Sequence, residues 1–191
     1  MPLSAIDPQT ALVVIDLQNG IVNRPQEPSD LPRFADVVER SKALAGAFRA
    51  HGLPVVLVNV AGAPAGRTDA PRRVPGDVPA DFFAIADGLN TSPDDVVVTK
   101  RSIGAFATTD LDAILRDRGV SQIVFTGIAT SIGVESTARY AYDLGYNVTF
   151  AIDAMSDLTP ASHVHTTTTI FPRLGEVAST DDVLAALSER A

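Results

Sequence analysis

The sequence predicts an α/β fold built around a mostly parallel sheet. Two observations carry this. Short, continuous apolar runs recur at Ala11–Leu17, Leu53–Val60, Asp95–Lys100, Ile123–Thr126 and Tyr146–Ile152, and strands buried on both faces read this way. Between them lie segments with apolar residues at helical spacing. Alternating βα units give a parallel sheet whose C-terminal strand ends share one edge. A length of 191 residues suits one domain, 1–191, with a sizeable core.

The first run, ALVVIDL, ends near Asp16, and a carboxylate in such a run is rarely without a partner or a task. A helix-capping or turn role accounts for Asp16 equally well at this point. Asn19-Gly20 marks a turn and a Pro-rich loop runs on to Pro32. From Phe34 to His51 the apolar Val37, Val38, Leu44, Ala45 and Phe48 predict a helix, stopped by Gly52 and Pro54. The run LPVVLVNV follows as a second strand, with Asn59 near its end. Residues Ala61–Pro79 form a long Gly-, Ala- and Pro-rich loop carrying Arg67, Arg72 and Arg73. Such loops serve as lids or as irregular excursions. The arginines suit substrate carboxylates, although a solvated loop explains them more simply.

The third strand, DVVVTK, places Lys100 at its C-terminal end, as the first places Asp16. Opposite charges from two strand ends meet in one crevice of a parallel sheet. After a Gly104-Ala105 turn and Phe106, Thr108–Gly119 predicts a helix with Leu111, Ile114 and Leu115 on its apolar side.

Next comes FTGIATSIGVESTARYAYDLG, Phe125–Gly145. A strand breaks at Gly127, turns, and enters a helix whose apolar positions are Val134, Ala138, Ala141 and Leu144. Strand, tight turn and helix start is where α/β proteins offer free backbone N–H groups to a ligand. The position of interest for a nucleophile holds Gly133. Ser131 and Ser136 are nearby hydroxyls, but neither stands at that position and no activating histidine is evident. In the fifth strand, YNVTFAI, Asp153 is read as the terminating turn or cap residue. Pro160–Arg173 predicts a helix interrupted in propensity by Thr166–Thr169. His163 and His165, two apart, make a poor metal pair. Glu176-Val177-Ala178 reads as a short edge strand and Ser179–Leu187 as a closing helix.

Composition narrows the function. The chain is 46% apolar and 20% charged, as in a globular protein. Its net charge of −8 argues against nucleic acid or a membrane surface as partner. The absence of cysteine removes disulfides, thiolate metal sites and cysteine nucleophiles together. No metal and no cofactor is expected. The N-terminus has no secretory pattern and no run spans a bilayer, so a cytoplasmic protein with a small-molecule substrate is expected.

Three pieces in order, ALVVIDLQNGIV, VVVTKRSIGAFATTDL and FTGIATSIGVESTARYAYDLGYNV, resemble the isochorismatase-like (cysteine hydrolase) superfamily, as does the tail from Ile152 to Asp157 with GEVASTDDVL. The resemblance covers nearly the whole chain. It implies a three-layer α/β/α, Rossmann-like sandwich and a homodimer or higher homo-oligomer. It implies that Asp16 and Lys100 occupy two catalytic positions and Gly133 the third, where most members carry cysteine. It further implies a cis peptide between Ile128 and Ala129, with the N–H groups of Ala129 and Gly133 as oxyanion-type donors. Without a thiol, amide cleavage through a thioester is lost, and the Asp-His-His metal set of the nicotinamidase branch is missing. Isochorismatases proper also carry glycine there. Their chemistry implies protonation of a vinyl ether by Asp16, with Lys100 orienting it, and release of pyruvate. Two departures concern the substrate: the loop after Val60 lacks their Gln, and Gly104 stands where the family more often has serine. Arg67, Arg72, Arg73 or Arg101 then become the candidates for substrate carboxylates. Gln18, Asn59, Phe106 and Ile132 are assigned to the pocket lining by position. Two alternatives stay open: a catalytically silent binding member, and a cysteine amidase whose nucleophile became Gly133.

Overall fold

In the computed structural model, which describes residues 3–69, 78–79 and 81–190, six parallel strands form one sheet in the order β3-β2-β1-β4-β5-β6. The strands are β1 (Thr10–Ile15), β2 (Val55–Val60), β3 (Val96–Lys100), β4 (Gln122–Ile128), β5 (Asn147–Ser156) and β6 (Glu176–Ala178). The helices are α1 (Asn19–Val22), α2 (Phe34–Ala50), α3 (Leu111–Asp117), α4 (Glu135–Asp143), α5 (Pro160–His165) and α6 (Thr180–Ser188).

Alternation along the strands feeds two cores, because successive side chains point to opposite faces. Ala11, Val13, Ile15, Val56, Val58 and Phe125 pack with Leu111 and Leu115 of α3 and Ala138 and Ala141 of α4. Leu12, Val14, Val55, Leu57 and Val124 face Val37, Leu44 and Phe48 of α2 and Val183 and Leu187 of α6. The result is the three-layer sandwich expected. The chain order reverses between β1 and β4, and their C-terminal ends define the crevice where such sheets bind ligands. There Gly127 (φ +123°) lies against the Ile15 carbonyl, with which any Cβ would overlap.

The helices begin and end where local bonding directs. The helix expected from Thr108 starts at Leu111, because the Thr109 hydroxyl donates to the Ala105 carbonyl and accepts from the Leu111 N–H, a turn that competes with helix. Strand β5 passes through Asp153 to Ser156 rather than ending at it. Asp153 accepts from the Thr180 N–H and hydroxyl at the start of α6 (2.7 and 2.9 Å) and pairs with Arg40. The helix expected over Pro160–Arg173 breaks after His165 into a π turn, Thr166–Ile170, and a short 3-10 turn, Phe171–Arg173. Among the described residues, no helix is long and apolar enough to cross a membrane.

Candidate active site

Asp16 stands one residue past β1, in left-handed backbone geometry (φ +56°), with its N–H donating to the Val58 carbonyl. Lys100, the last residue of β3, reaches it across the end of β2. Its Nζ lies 2.8 Å from Asp16 Oδ2 and donates to the Ile103 carbonyl at 2.5 Å. Lys100 is 1% exposed and Asp16 6%. A cation this buried is tolerated only with partners, and these two acceptors supply them. Asp16 Oδ1, also buried, has no hydrogen-bond partner among the described residues. Burial pushes the Asp16 carboxyl up to about 6, against the downward pull of Lys100.

Gly133 completes the group. A Cβ built there would stand 2.9 Å from Asp16 Oδ2, 3.0 Å from Ile15 Cγ2 and 3.1 Å from Lys100 Nζ. The ion pair has thus closed onto the glycine. The peptide between Ile128 and Ala129 is cis. A π turn, Thr130–Val134, then carries the chain from β4 into α4, with the Val134 N–H donating to the Ala129 carbonyl.

Residues given no place in the site by the sequence hold this turn. Asp157, 2% exposed, accepts from the Ser131 and Leu158 N–H groups, each at 2.6 Å. The Thr130 hydroxyl donates to the Ser156 carbonyl (3.0 Å), so His163 Nδ1 is the donor to Thr130 (2.8 Å). Burial holds His163 below its usual range, partly offset by Asp157. The Thr137 hydroxyl donates to the Gly133 carbonyl (2.6 Å) and accepts from the Ala105 N–H (3.1 Å). The tail ending at Asp157 was the one available sequence signal for this ring of supports.

The lining candidates divide. Ile132, 41% exposed, directly precedes Gly133 in the turn. The Gln18 amide is engaged by backbone: it accepts from the Val60 N–H (2.7 Å) and donates to the Val60 and Phe82 carbonyls. Asn59 donates to the Phe83 carbonyl (2.6 Å), while its buried Oδ1 has no partner among the described residues. Phe106 stacks on Tyr140 and Tyr146. Arg101 lays its stem beside Gly62, Arg67 is exposed, and Arg72 and Arg73 lie outside the described residues. The described residues contain no cluster of three or more His, Cys, Asp or Glu fit for a metal. A cavity of about 480 Å³ lies at the opposite, N-terminal edge of the sheet, among Gln9, Pro54, Ser92 and the Arg49–Asp95 pair. It holds no member of the Asp16–Lys100–Gly133 group.

The Isochorismatase domain model matches residues 10–182. The chain belongs to the isochorismatase family. It is 45% identical over 182 residues to an uncharacterized isochorismatase family protein of Bacillus subtilis (strain 168), covering 92% of this chain and 93% of that one. It is 31% identical to a ureidoacrylate amidohydrolase of Methylobacterium radiotolerans, covering 83% and 71%. The structure of an isochorismatase family protein from Burkholderia thailandensis superposes with a TM-score of 0.90 at 47% identity, over 98% of this chain and 99% of that one. The chain is accordingly a hydrolase of this family, with glycine at position 133.

Proposed function

We propose that this isochorismatase-family hydrolase works without a nucleophile and cleaves a vinyl (enol) ether of a small acid, such as isochorismate, by proton donation from Asp16. The observation that carries the reading is the division of labour within one buried carboxyl. Oδ2 is held by Lys100 while Oδ1 is unengaged among the described residues, and burial raises the group to about 6. At neutral pH roughly one molecule in ten then carries the proton, which sits on the oxygen away from the ammonium. That is the condition for a general acid.

The reaction follows in balanced steps. The Asp16 Oδ1 proton moves to the terminal vinyl carbon, leaving an oxocarbenium ion at the ether carbon. Water adds to that carbon, and its proton returns to Asp16. The resulting hemiketal collapses to pyruvate and the ring alcohol. Lys100 holds the carboxyl in place throughout, and the N–H groups of Ala129 and Gly133 serve as donors to substrate oxygens. With glycine at 133, no side chain presses on the Asp16–Lys100 pair, which a Cβ would approach to 2.9 and 3.1 Å.

An amidase ancestor is supported by the named activity of the Methylobacterium relative. The crowding at position 133 weighs against a thiol in this arrangement, since its Cβ alone would lie 2.9 Å from Asp16 Oδ2. The deciding experiment is pyruvate release from isochorismate by the purified protein, with Asp16→Asn as control. Release that falls about 10²–10⁴-fold in the variant supports the acid role. No release removes isochorismate; release unchanged in Asp16→Asn removes the mechanism.

A further inference from the structure

The loop after β3 does more than link it to α3. It carries the carbonyl that holds Lys100, and it rests on the first turn of α4 through two contacts. The first is Thr137, fully buried, whose hydroxyl joins the Ala105 N–H to the Gly133 carbonyl. The second is Gly104. A Cβ built there would stand 3.1 Å from the Ser136 carbonyl oxygen and 3.2 Å from its carbon. Any side chain would press the loop a few tenths of an ångström off the helix. Ile103, with the Lys100 acceptor, and Ala105, with the Thr137 donor, flank this glycine. Further along, Phe106 stacks on Tyr140 of α4 and on Tyr146, and within the loop the Ser102 hydroxyl donates to the Gly104 carbonyl and Thr109 to the Ala105 carbonyl.

We infer that Gly104 and Thr137 are positioning residues: they clamp the loop onto α4 so that the Ile103 carbonyl fixes the Lys100 ammonium against Asp16. The mechanical chain is short. Thr137 fixes Ala105, Gly104 allows the approach, Ile103 O takes one Nζ–H, and a second points at Asp16 Oδ2. Lys100 is buried, and among the described residues its ammonium rests on these two acceptors. Displacing the Ile103 carbonyl therefore frees the ammonium to move away from the carboxylate. A threonine bonded only within its own helix, or a glycine serving only as a turn, would leave Asp16 untouched.

The readout is the titration of Asp16 itself, followed by carbon NMR on the full chain labelled at its aspartate carboxyls and assigned by the signal lost in Asp16→Asn. Lys100 is the one charged group among the described residues acting on Asp16, so a retreating ammonium moves the midpoint upward. In Thr137→Val and Gly104→Ala the midpoint is expected to rise by about one pH unit, part of the one to three that a close opposite charge produces. Thr137→Ser keeps both hydrogen bonds and leaves it in place. An unchanged or lowered midpoint in the first two variants overturns the inference, as does a rise in Thr137→Ser equal to that in Thr137→Val. If Thr137→Val does not fold, Gly104→Ala alone decides, since position 104 is not in left-handed geometry and bears only the added methyl. The inference does not rest on the substrate: an unmoved midpoint would refute the clamp and leave the pyruvate assay standing.

Discussion

Two glycine-to-alanine substitutions in this chain are expected to act with opposite signs. Gly46 lies on the exposed side of α2, and a Cβ there would meet nothing within 4 Å. Gly46→Ala removes a flexible residue from a helix interior and should stabilise by about 0.5–1 kcal/mol. At Gly133 the same methyl meets Asp16 Oδ2, Ile15 Cγ2 and Lys100 Nζ at 2.9, 3.0 and 3.1 Å. Ordinary van der Waals contact begins several tenths of an ångström further out. Two of the three atoms belong to a buried ion pair whose own separation is 2.8 Å, so relief comes only by parting the pair or shifting β1. Overpacking of this kind costs about 1–3 kcal/mol; from a mid-range cost of about 2 kcal/mol a backbone-entropy gain of up to about 1 kcal/mol is subtracted. The net expectation for Gly133→Ala is a loss of about 1–2 kcal/mol, or a fall of about 2–8 °C in Tm for a chain of this size. Parallel thermal and urea melts of the two variants provide the assay. A Gly133→Ala protein as stable as Gly46→Ala, with Asp16 titrating as in the parent, would show that the pair does not close on the glycine.

The remaining predictions concern pH and the lining. Asp16 stands at about 6 in the folded protein against about 3.9 for a free aspartate. Its contribution to stability is therefore fully present below about pH 4 and lost as pH rises through 6, a difference of about 3 kcal/mol. Urea melts at about pH 4 and pH 7 should show that loss in the parent and not in Asp16→Asn; the same change in both proteins would contradict the burial of the charge. Gln18→Ala leaves the Val60 N–H without its acceptor and is expected to cost about 1–3 kcal/mol, read as a lower urea midpoint. Ile132→Ala, at an exposed position, should stay within about 0.5 kcal/mol of the parent in the same melts and raise KM instead. A destabilised Ile132→Ala would place that side chain in the core.

The parts of the fold legible in the sequence are those set by local pattern. Continuous apolar runs mark the strands within a few residues, and placing Asp16 and Lys100 at strand ends is enough to bring them together once the sheet is parallel. Local pattern misleads where distant partners decide. Asp153 reads as a strand terminator until α6 supplies the Thr180 N–H and hydroxyl to its carboxylate. Gln18 and Asn59 read as pocket groups because they are near strand ends. Their amide N–H groups also donate to the Phe82 and Phe83 carbonyls, contacts that no spacing rule reveals. The roles of His163 and Thr137 are hidden for a similar reason: each acts through tertiary hydrogen bonds.

The ion pair also dictates how an acidic substrate and the catalytic proton affect each other. With Asp16 ionised, the buried pair is neutral. With Asp16 protonated, the Lys100 ammonium is uncompensated, and it cannot leave, being held by the Ile103 carbonyl. A substrate carboxylate brought near the pair therefore favours the protonated state, since two anions beside one cation repel and one does not. Binding an anion and loading the acid are then one linked equilibrium. The consequence is kinetic: the limb that falls with rising pH should lie near 6 in kcat/KM, which reports the free enzyme, and at higher pH in kcat, which reports the complex. The two profiles, measured on any acid the protein turns over, distinguish the roles open to Asp16. A general base would give activity that rises through 6, and a kcat limb at lower pH than that of kcat/KM would mean that the substrate's charge is kept away from the pair.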